Sequence, residues 1–316
     1  MLQLPRPLLF ALFLVVIGSG GSAEAASLAL EPAKLQQLSV PADGHPLALW
    51  AREVRQPNGV IVLLHGRTWS ALPDFDLQVP GDQRSVMQSL NARGYSTFAL
   101  DLRGYGKTPR DATGWLTPGR AARDVIATLE WLAKEKKIER PVLLGWSFGS
   151  IVSQLAAQRR PDLISALILY GYPRDPASPT AGLTDPAQPA REVNTPERAS
   201  SDFISPEVTP KRVIDAYVAA ALAADPVRVD WHDQAQFAEL DPAKVVTPTL
   251  VLQGERDPFA PADAQARLFT HLGTPDRQWV VLPGADHAAL VEDVHPAFIA
   301  AVVAFVTRSG RDSVRQ

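Results

Sequence analysis

The chain has 316 residues, 46% hydrophobic and 21% charged, an ordinary globular balance with enough apolar material for a sizeable core. Lysine and arginine number 31 against 34 acidic residues, a formal net charge of −3, and so small an imbalance speaks against a nucleic-acid partner. There is no cysteine, which excludes disulfides, zinc-thiolate centres, a cysteine nucleophile and a lipid-bearing cysteine.

The first elements read as a leader. "MLQLPRPLLFALFLVVIGSGGSAEAAS" carries one early arginine, an apolar stretch over 8–17, and small residues with Ala23 and Ala25 at signal-peptidase spacing. The pattern predicts a signal peptide over 1–25 and a secreted or periplasmic product with no stable membrane anchor, since the apolar stretch is shorter than the roughly 20 residues a bilayer needs. Its removal takes one arginine and one glutamate, leaving 30 against 33 and the same net charge of −3.

Beyond the leader, apolar β-type runs alternate with helical patterns, which predicts a mostly parallel sheet covered by helices on both faces. "LQQLSV" (35–40) and "PLALWAREV" (46–54) read as an antiparallel pair at the sheet edge. Buried strands are expected over 59–66, 95–104, 140–147, 163–171, 248–257 and 277–287, and helices over 118–137, 148–159, 262–272 and 290–308. One region breaks the alternation: residues 173–210 hold eight prolines and no long apolar run, which excludes a regular helix or central strand there. A helical stretch "KRVIDAYVAAALAA" and a second near "WHDQAQFAEL" follow it. The sheet pattern then resumes, so the region reads as an inserted cap rather than a linker.

The chemistry gathers at strand ends. Gly145-Trp146-Ser147-Phe148-Gly149 places one serine where a strand runs directly into a helix. A turn that sharp exposes the hydroxyl at the carboxyl edge of the sheet and needs glycine on both sides, because a side chain there would strike neighbouring backbone. A serine hydroxyl is a weak nucleophile without a base, so a histidine and an orienting carboxylate are expected on later strand ends. Asp257, in "LQGERDPFAP", and His287, in "LPGADHAAL", stand there; Glu255 and Asp263 are the alternative acids, and Asp286 is expected to point elsewhere. His45, His232, His271 and His295 follow no strand in the required way. "LLHGRTW" supplies the turn for an oxyanion hole, the backbone N–H of Arg67 pairing with that of Phe148. Trp69, Trp146, Phe148 and Phe259 lie beside these landmarks as candidate pocket walls, and Arg67 is a candidate partner for a substrate carboxylate.

"HGRTW", "DLRGYGKT", "GWSFGS", "GERDPFAP" and "GADH" together resemble, in order, the landmarks of the α/β-hydrolase superfamily over roughly residues 35 to 308. The resemblance implies the serine, acid, histidine order, a structural role for the turn at 101–106, and a cap after the strand ending at 171. Serine at the nucleophile position disfavours the branches resembling epoxide hydrolases and haloalkane dehalogenases, which use aspartate there. The expected organisation is a hydrolase core over 26–171, a cap over 172–246 and the remaining core over 247–316.

"GYGKT" ends like a phosphate-binding loop, but the first glycine of that motif falls on Asp101, whose charge repels phosphate. No metal-ligand motif and no cofactor signature is present. The expectation is a serine hydrolase cleaving a carboxylic ester of a small or medium, partly apolar molecule through an acyl-enzyme. An acyltransferase or peptidase using the same three residues, or a hydrolase-like protein that only binds a ligand, remain as alternatives, and the sequence leaves the oligomeric state open.

Overall fold

In the computed structural model residues 33–313 are described, and the expected signal segment, residues 1–25, lies outside them. In chain order the strands are β1 (Leu35–Ala42), β2 (His45–Arg52), β3 (Gly59–Leu64), β4 (Gln78–Val79), β5 (Asp82–Gln83), β6 (Tyr95–Leu100), β7 (Val142–Trp146), β8 (Ala166–Tyr170), β9 (Thr249–Gly254) and β10 (Arg277–Leu282). The helices are α1 (Ala71–Phe75), α2 (Val86–Asn91), α3 (Pro118–Trp131), α4 (Phe148–Arg159), α5 (Pro196–Ser200), α6 (Lys211–Ala224), α7 (Ala262–His271) and α8 (His295–Ser313). Eight strands form one sheet in the order β1-β2-β6-β3-β7-β8-β9-β10, and β4 pairs with β5 as a small separate hairpin. β1, β2 and β6 are joined antiparallel, and every later neighbour is parallel.

The strand period of two divides the apolar side chains between the faces. Ile61, Leu63, Leu144, Ile168 and Leu252 enter one buried cluster with Leu90 of α2 and Phe298 and Val302 of α8. Val62, Leu64, Leu143, Leu169 and Val251 enter another, with Val125 of α3, Ile151 and Leu155 of α4, and Leu268 of α7. Burial on both sides explains why these strands read as continuous apolar runs. Because the central strands are parallel, their carboxyl ends lie along one edge, where β3, β9 and β10 each release a loop and β7 turns directly into α4.

Several elements differ from the sequence expectation. The helix expected over 118–137 starts on a Thr117 cap but passes at Leu132–Lys136 into a wide π turn, stopped by Lys137 at φ 58°. The stretch near 231–240 forms a 3₁₀ turn, Gln234–Glu239, rather than a regular helix. The last helix begins at His295 instead of 290, with Pro296 in its first turn, where the missing N–H is harmless. α1 and α2 were not foreseen: five and six residues are too few to show a period, and only the Ser85 cap on Gln88 N marks the start of α2. Between β8 and β9 the chain leaves the sheet. Its proline-rich part does hold one helical turn, α5, because Pro196 occupies the first helical position behind a Thr195 cap. Among the described residues no helix is long and apolar enough to cross a membrane.

Candidate active site

Ser147 sits between β7 and α4 with φ 53° and ψ −123°, a region that a residue with a Cβ occupies only under constraint. Its N–H donates to Tyr170 O at 2.8 Å, and its carbonyl accepts from the N–H of Ser150 at 2.8 Å and the Ser150 hydroxyl at 2.5 Å. The flanking glycines are steric requirements. A Cβ on Gly145 would run into the carbonyl of Gly149 and the hydroxyl of Ser153, and a Cβ on Gly149 would run into the carbonyls of His65 and Leu64.

Asp257 leaves the end of β9 and His287 the loop after β10, and the structure brings them together: Nδ1–H of His287 donates to Asp257 Oδ2 at 2.8 Å, with both side chains almost fully buried. The other Asp257 oxygen accepts from Phe259 N at 2.9 Å. Trp146 Nε1 and Tyr170 OH both donate to the His287 carbonyl, at 2.9 and 2.7 Å, so the strand carrying the serine and its neighbour hold the histidine loop. Burial favours the neutral imidazole. The hydrogen bond and charge of Asp257, with the charges of Asp202 and Asp286, outweigh it and raise the ring above its usual 6.5.

The other acids are engaged elsewhere. Glu255 is exposed and accepts from Gly284 N, and Asp263 pairs with Arg267 at the surface. Asp286 is buried and accepts from Ser205 N at 2.5 Å and from Ala288 N at 2.9 Å.

Next to the serine, β3 ends at His65-Gly66-Arg67. His65 is fully buried and desolvation pushes it down to about 4; it therefore stays neutral, accepting from Leu102 N on Nε2 and donating from Nδ1 to Gly66 O. Gly66 N donates to Asp74 Oδ2, while Tyr105 OH donates to the Arg67 carbonyl and itself accepts from Trp231 Nε1 at 2.9 Å. Among the described residues the N–H groups of Arg67 and Phe148 have no protein acceptor, which leaves two donors for a developing oxyanion.

Ser147 and His287 line one cavity of about 60 Å³ with Gly66, Arg67, Thr68, Trp69, Asp74, Trp146 and Asp202. Trp69 and Trp146 are thus both in the lining of this cavity. Phe259 packs edge-on against His287 at 5.0 Å but is half exposed and lines a separate open groove of about 470 Å³ that also includes Arg174. Phe148 was expected in the wall and is not there: its ring packs edge-on against Trp231 and Phe237 in the buried cluster under α3 and α4.

Sequence reasoning missed Asp74 and Asp202. Asp74 is raised well above the usual carboxylate range, chiefly by burial, and accepts from Tyr217 OH at 2.9 Å. Asp202, in the irregular chain after α5, is raised by burial and lies close enough to His287 for their charges to interact. Neither sits in a recognisable pattern; both depend on how the chain between β8 and β9 returns over the sheet. Away from the cavity, Asp185, His232 and Asp233 place one ligand-type atom each within 4.8 Å of one another, the one such group among the described residues.

Residues 55–294 match the family model described as serine aminopeptidase, S33. The chain is 26% identical over 241 residues to the serine hydrolase BPHL of Mus musculus, covering 70% of this chain and 71% of that protein. It is 28% identical over 229 residues to 2-(acetamidomethylene)succinate hydrolase of Mesorhizobium japonicum, covering 64% and 74%. Among solved structures, an esterase from Thermogutta terrifontis superposes with a TM-score of 0.62 at 21% identity, over 87% of this chain and 99% of the other, which is a likeness of fold.

Proposed function

Because the chain belongs to the serine aminopeptidase S33 family of α/β-hydrolases, we propose that it is a serine esterase in which Ser147, His287 and Asp257 act together. The observation that carries this reading is the strained Ser147 in one cavity with His287, whose Nδ1 is held by Asp257 at 2.8 Å. Ser147 Oγ attacks the ester carbonyl while His287 Nε2 takes its proton; the C–O bond to the alcohol then breaks and the same proton passes to the leaving oxygen. Water, deprotonated by His287, attacks the acyl-enzyme and releases the acid. Asp257 keeps the proton on Nδ1, so that Nε2 is the basic nitrogen, and steadies the imidazolium. The Arg67 and Phe148 N–H groups receive the oxyanion.

A cavity of about 60 Å³ has room for only a handful of waters. It suits the smaller half of an ester, an acetyl or methyl group, while the larger half extends outward. The deciding experiment is labelling with a fluorophosphonate, followed by hydrolysis of esters graded in acyl length, with aminoacyl 4-nitroanilides included because the family's description names an aminopeptidase. Labelling that Ser147→Ala abolishes, with turnover highest for esters carrying one short half, is the expected result. Turnover of the anilides alone would replace the esterase by a peptidase, and labelling that persists in Ser147→Ala would remove the nucleophile.

A further inference from the structure

Arg67 does more in this fold than present its N–H. Its guanidinium lies over the ring of Phe148 at 5.1 Å, and its Nε is buried without a hydrogen-bond partner. Arg174, which follows β8 into the cap, also has a buried Nε without a partner; it spends Nη1 on Ala181 O at 2.8 Å and lines the open groove. Arg228, after α6, has only a 3.6 Å approach to Glu192, a carboxylate that Arg198 already holds at 3.0 Å. Arg110 donates to the carbonyls of Val227 and Arg228 and so fixes that segment, and its own Nη1 is buried and unpartnered.

The charges of Arg228 and Arg174 both reach Arg67, and with burial as the largest cause they pull it below the usual arginine value. The acid facing them, Asp185, is exposed and already accepts from Gln234 N and Nε2. Neither Arg67 nor Arg174 is in an ion pair with a described residue. Leaving buried cationic donors unmatched is costly, and an arrangement that does so beside a nucleophile asks for an anion.

We infer that Arg67 and Arg174, with Arg228 behind them, form a carboxylate subsite running from the cavity of Ser147 toward the groove. The esters it hydrolyses therefore carry a carboxylate on their larger half. This rests on the serine-esterase reading above. A planar carboxylate matches the donors these two guanidinium groups leave unspent, and the Phe148 ring, itself outside the cavity wall, holds the Arg67 guanidinium over its face.

Two pairs of substrates locate the charge. In the first the acyl side carries it, monomethyl hexanedioate against methyl hexanoate; in the second the alcohol side does, 4-carboxyphenyl acetate against phenyl acetate. In each pair the smaller half is a methyl or acetyl group. Wild-type kcat/KM is expected to favour the charged member of one pair by at least about tenfold, the scale of one charged hydrogen bond. Arg67→Met and Arg174→Met should each bring that ratio down about tenfold, whereas Arg67→Lys, which keeps the charge but loses the fork, should retain part of it. Calorimetric titration with hexanoate and with uncharged hexanamide reads the subsite without turnover: the anion should bind more tightly, and both methionine variants should lose the difference. If fluorophosphonate labels nothing and no ester is cleaved, the esterase reading falls while the titration still decides the subsite. No preference for the charged ester in either pair with equal binding of hexanoate and hexanamide, or a preference that survives both methionine variants, would overturn the subsite.

Discussion

The loops at the sheet edge and the chain between β8 and β9 supply the cavity in different ways. On the core side each residue is placed by backbone that has little alternative: Ser147 is wedged at positive φ between two glycines that contact carbonyl groups, and His287 hangs from a carbonyl gripped by Trp146 and Tyr170. On the cap side Asp202 and Arg174 arrive on irregular chain, and Arg228 on a segment tied down by Arg110. The proposed function puts the chemistry on the part whose geometry is over-determined. It also puts selectivity and tuning of the histidine on the part that can change without disturbing the sheet.

If that division is right, changes on the core side abolish turnover and changes on the cap side redirect it. The largest effect is expected from Ser147→Ala, a loss of about 10⁴ to 10⁶ in kcat, read by ester hydrolysis on protein whose melting temperature is unchanged. Near-normal turnover in that variant would place the nucleophile elsewhere. Asp257→Asn comes next. The amide keeps the shape but offers a donor toward Nδ1 and removes the counter-charge, so a fall of about 10² to 10⁴ in kcat is expected, with KM little altered. A larger loss on changing exposed Glu255 or Asp263 would move the acid. Gly149→Ala tests the wedge itself: the added methyl meets the carbonyls of Leu64 and His65, so the helix start must shift, with a stability loss of about 1 to 3 kcal/mol. Slower fluorophosphonate labelling should accompany that loss. A variant as stable and reactive as the parent would mean that the glycine is not a steric requirement.

The contrast also explains what the sequence discloses. Apolar runs bounded by glycine and polar residues reveal the parallel strands because both faces of the sheet are buried, and the glycine spacing around Ser147 is legible because backbone crowding admits nothing larger. Asp257 and His287 are readable as polar residues just past buried strands. Asp74, by contrast, lies on a five-residue helix, and Asp202 follows a single helical turn among prolines, elements too short to carry a period. Phe148 misled for a related reason: its neighbours in sequence face the cavity, but as the first residue of α4 its side chain turns under the sheet edge toward Trp231. Sequence proximity to a nucleophile does not say which side of a turn a ring takes.

A subtler break in the comparison is pH. Asp257, Asp202 and Asp286 raise the imidazole of His287 above 6.5, and general-base action needs the neutral ring, so kcat/KM should rise with pH through an inflection above that value. Asp202→Asn removes one negative charge from the cap side, making the proton easier to lose. The inflection should move to lower pH, by less than in Asp257→Asn, since Asp257 also hydrogen-bonds the ring. An inflection that stays in place in Asp202→Asn would show that the cap does not reach the histidine electrostatically.

The smallest effect is expected where the two regions are joined. Asp286, beside His287, accepts from Ser205 N of the cap, and its own N–H donates to Glu292 Oε2 at 3.2 Å. Burial, then the neighbouring Asp286 carboxylate, push Glu292 up from 4.5 to about 9, so at neutral pH it holds a proton beside Asp286. In the unfolded chain the same carboxyl titrates near 4.5. The native state therefore binds the proton more tightly, and the stabilisation this gives is complete below about 4.5 and lost progressively as pH rises toward 9. Glu292→Gln retains an N–H donor toward Asp286 and cannot ionise, so its melting temperature should draw ahead of wild type as pH increases. The gap should be near zero at pH 5 and widen steadily as pH rises toward 9. Because the joint sets how the cap rests on the histidine loop, the selectivity ratio for charged esters should change with pH less in this variant than in wild type. A uniform drop in melting temperature at every pH would mean instead that the glutamine is misfitted and that no shared proton joins cap to core.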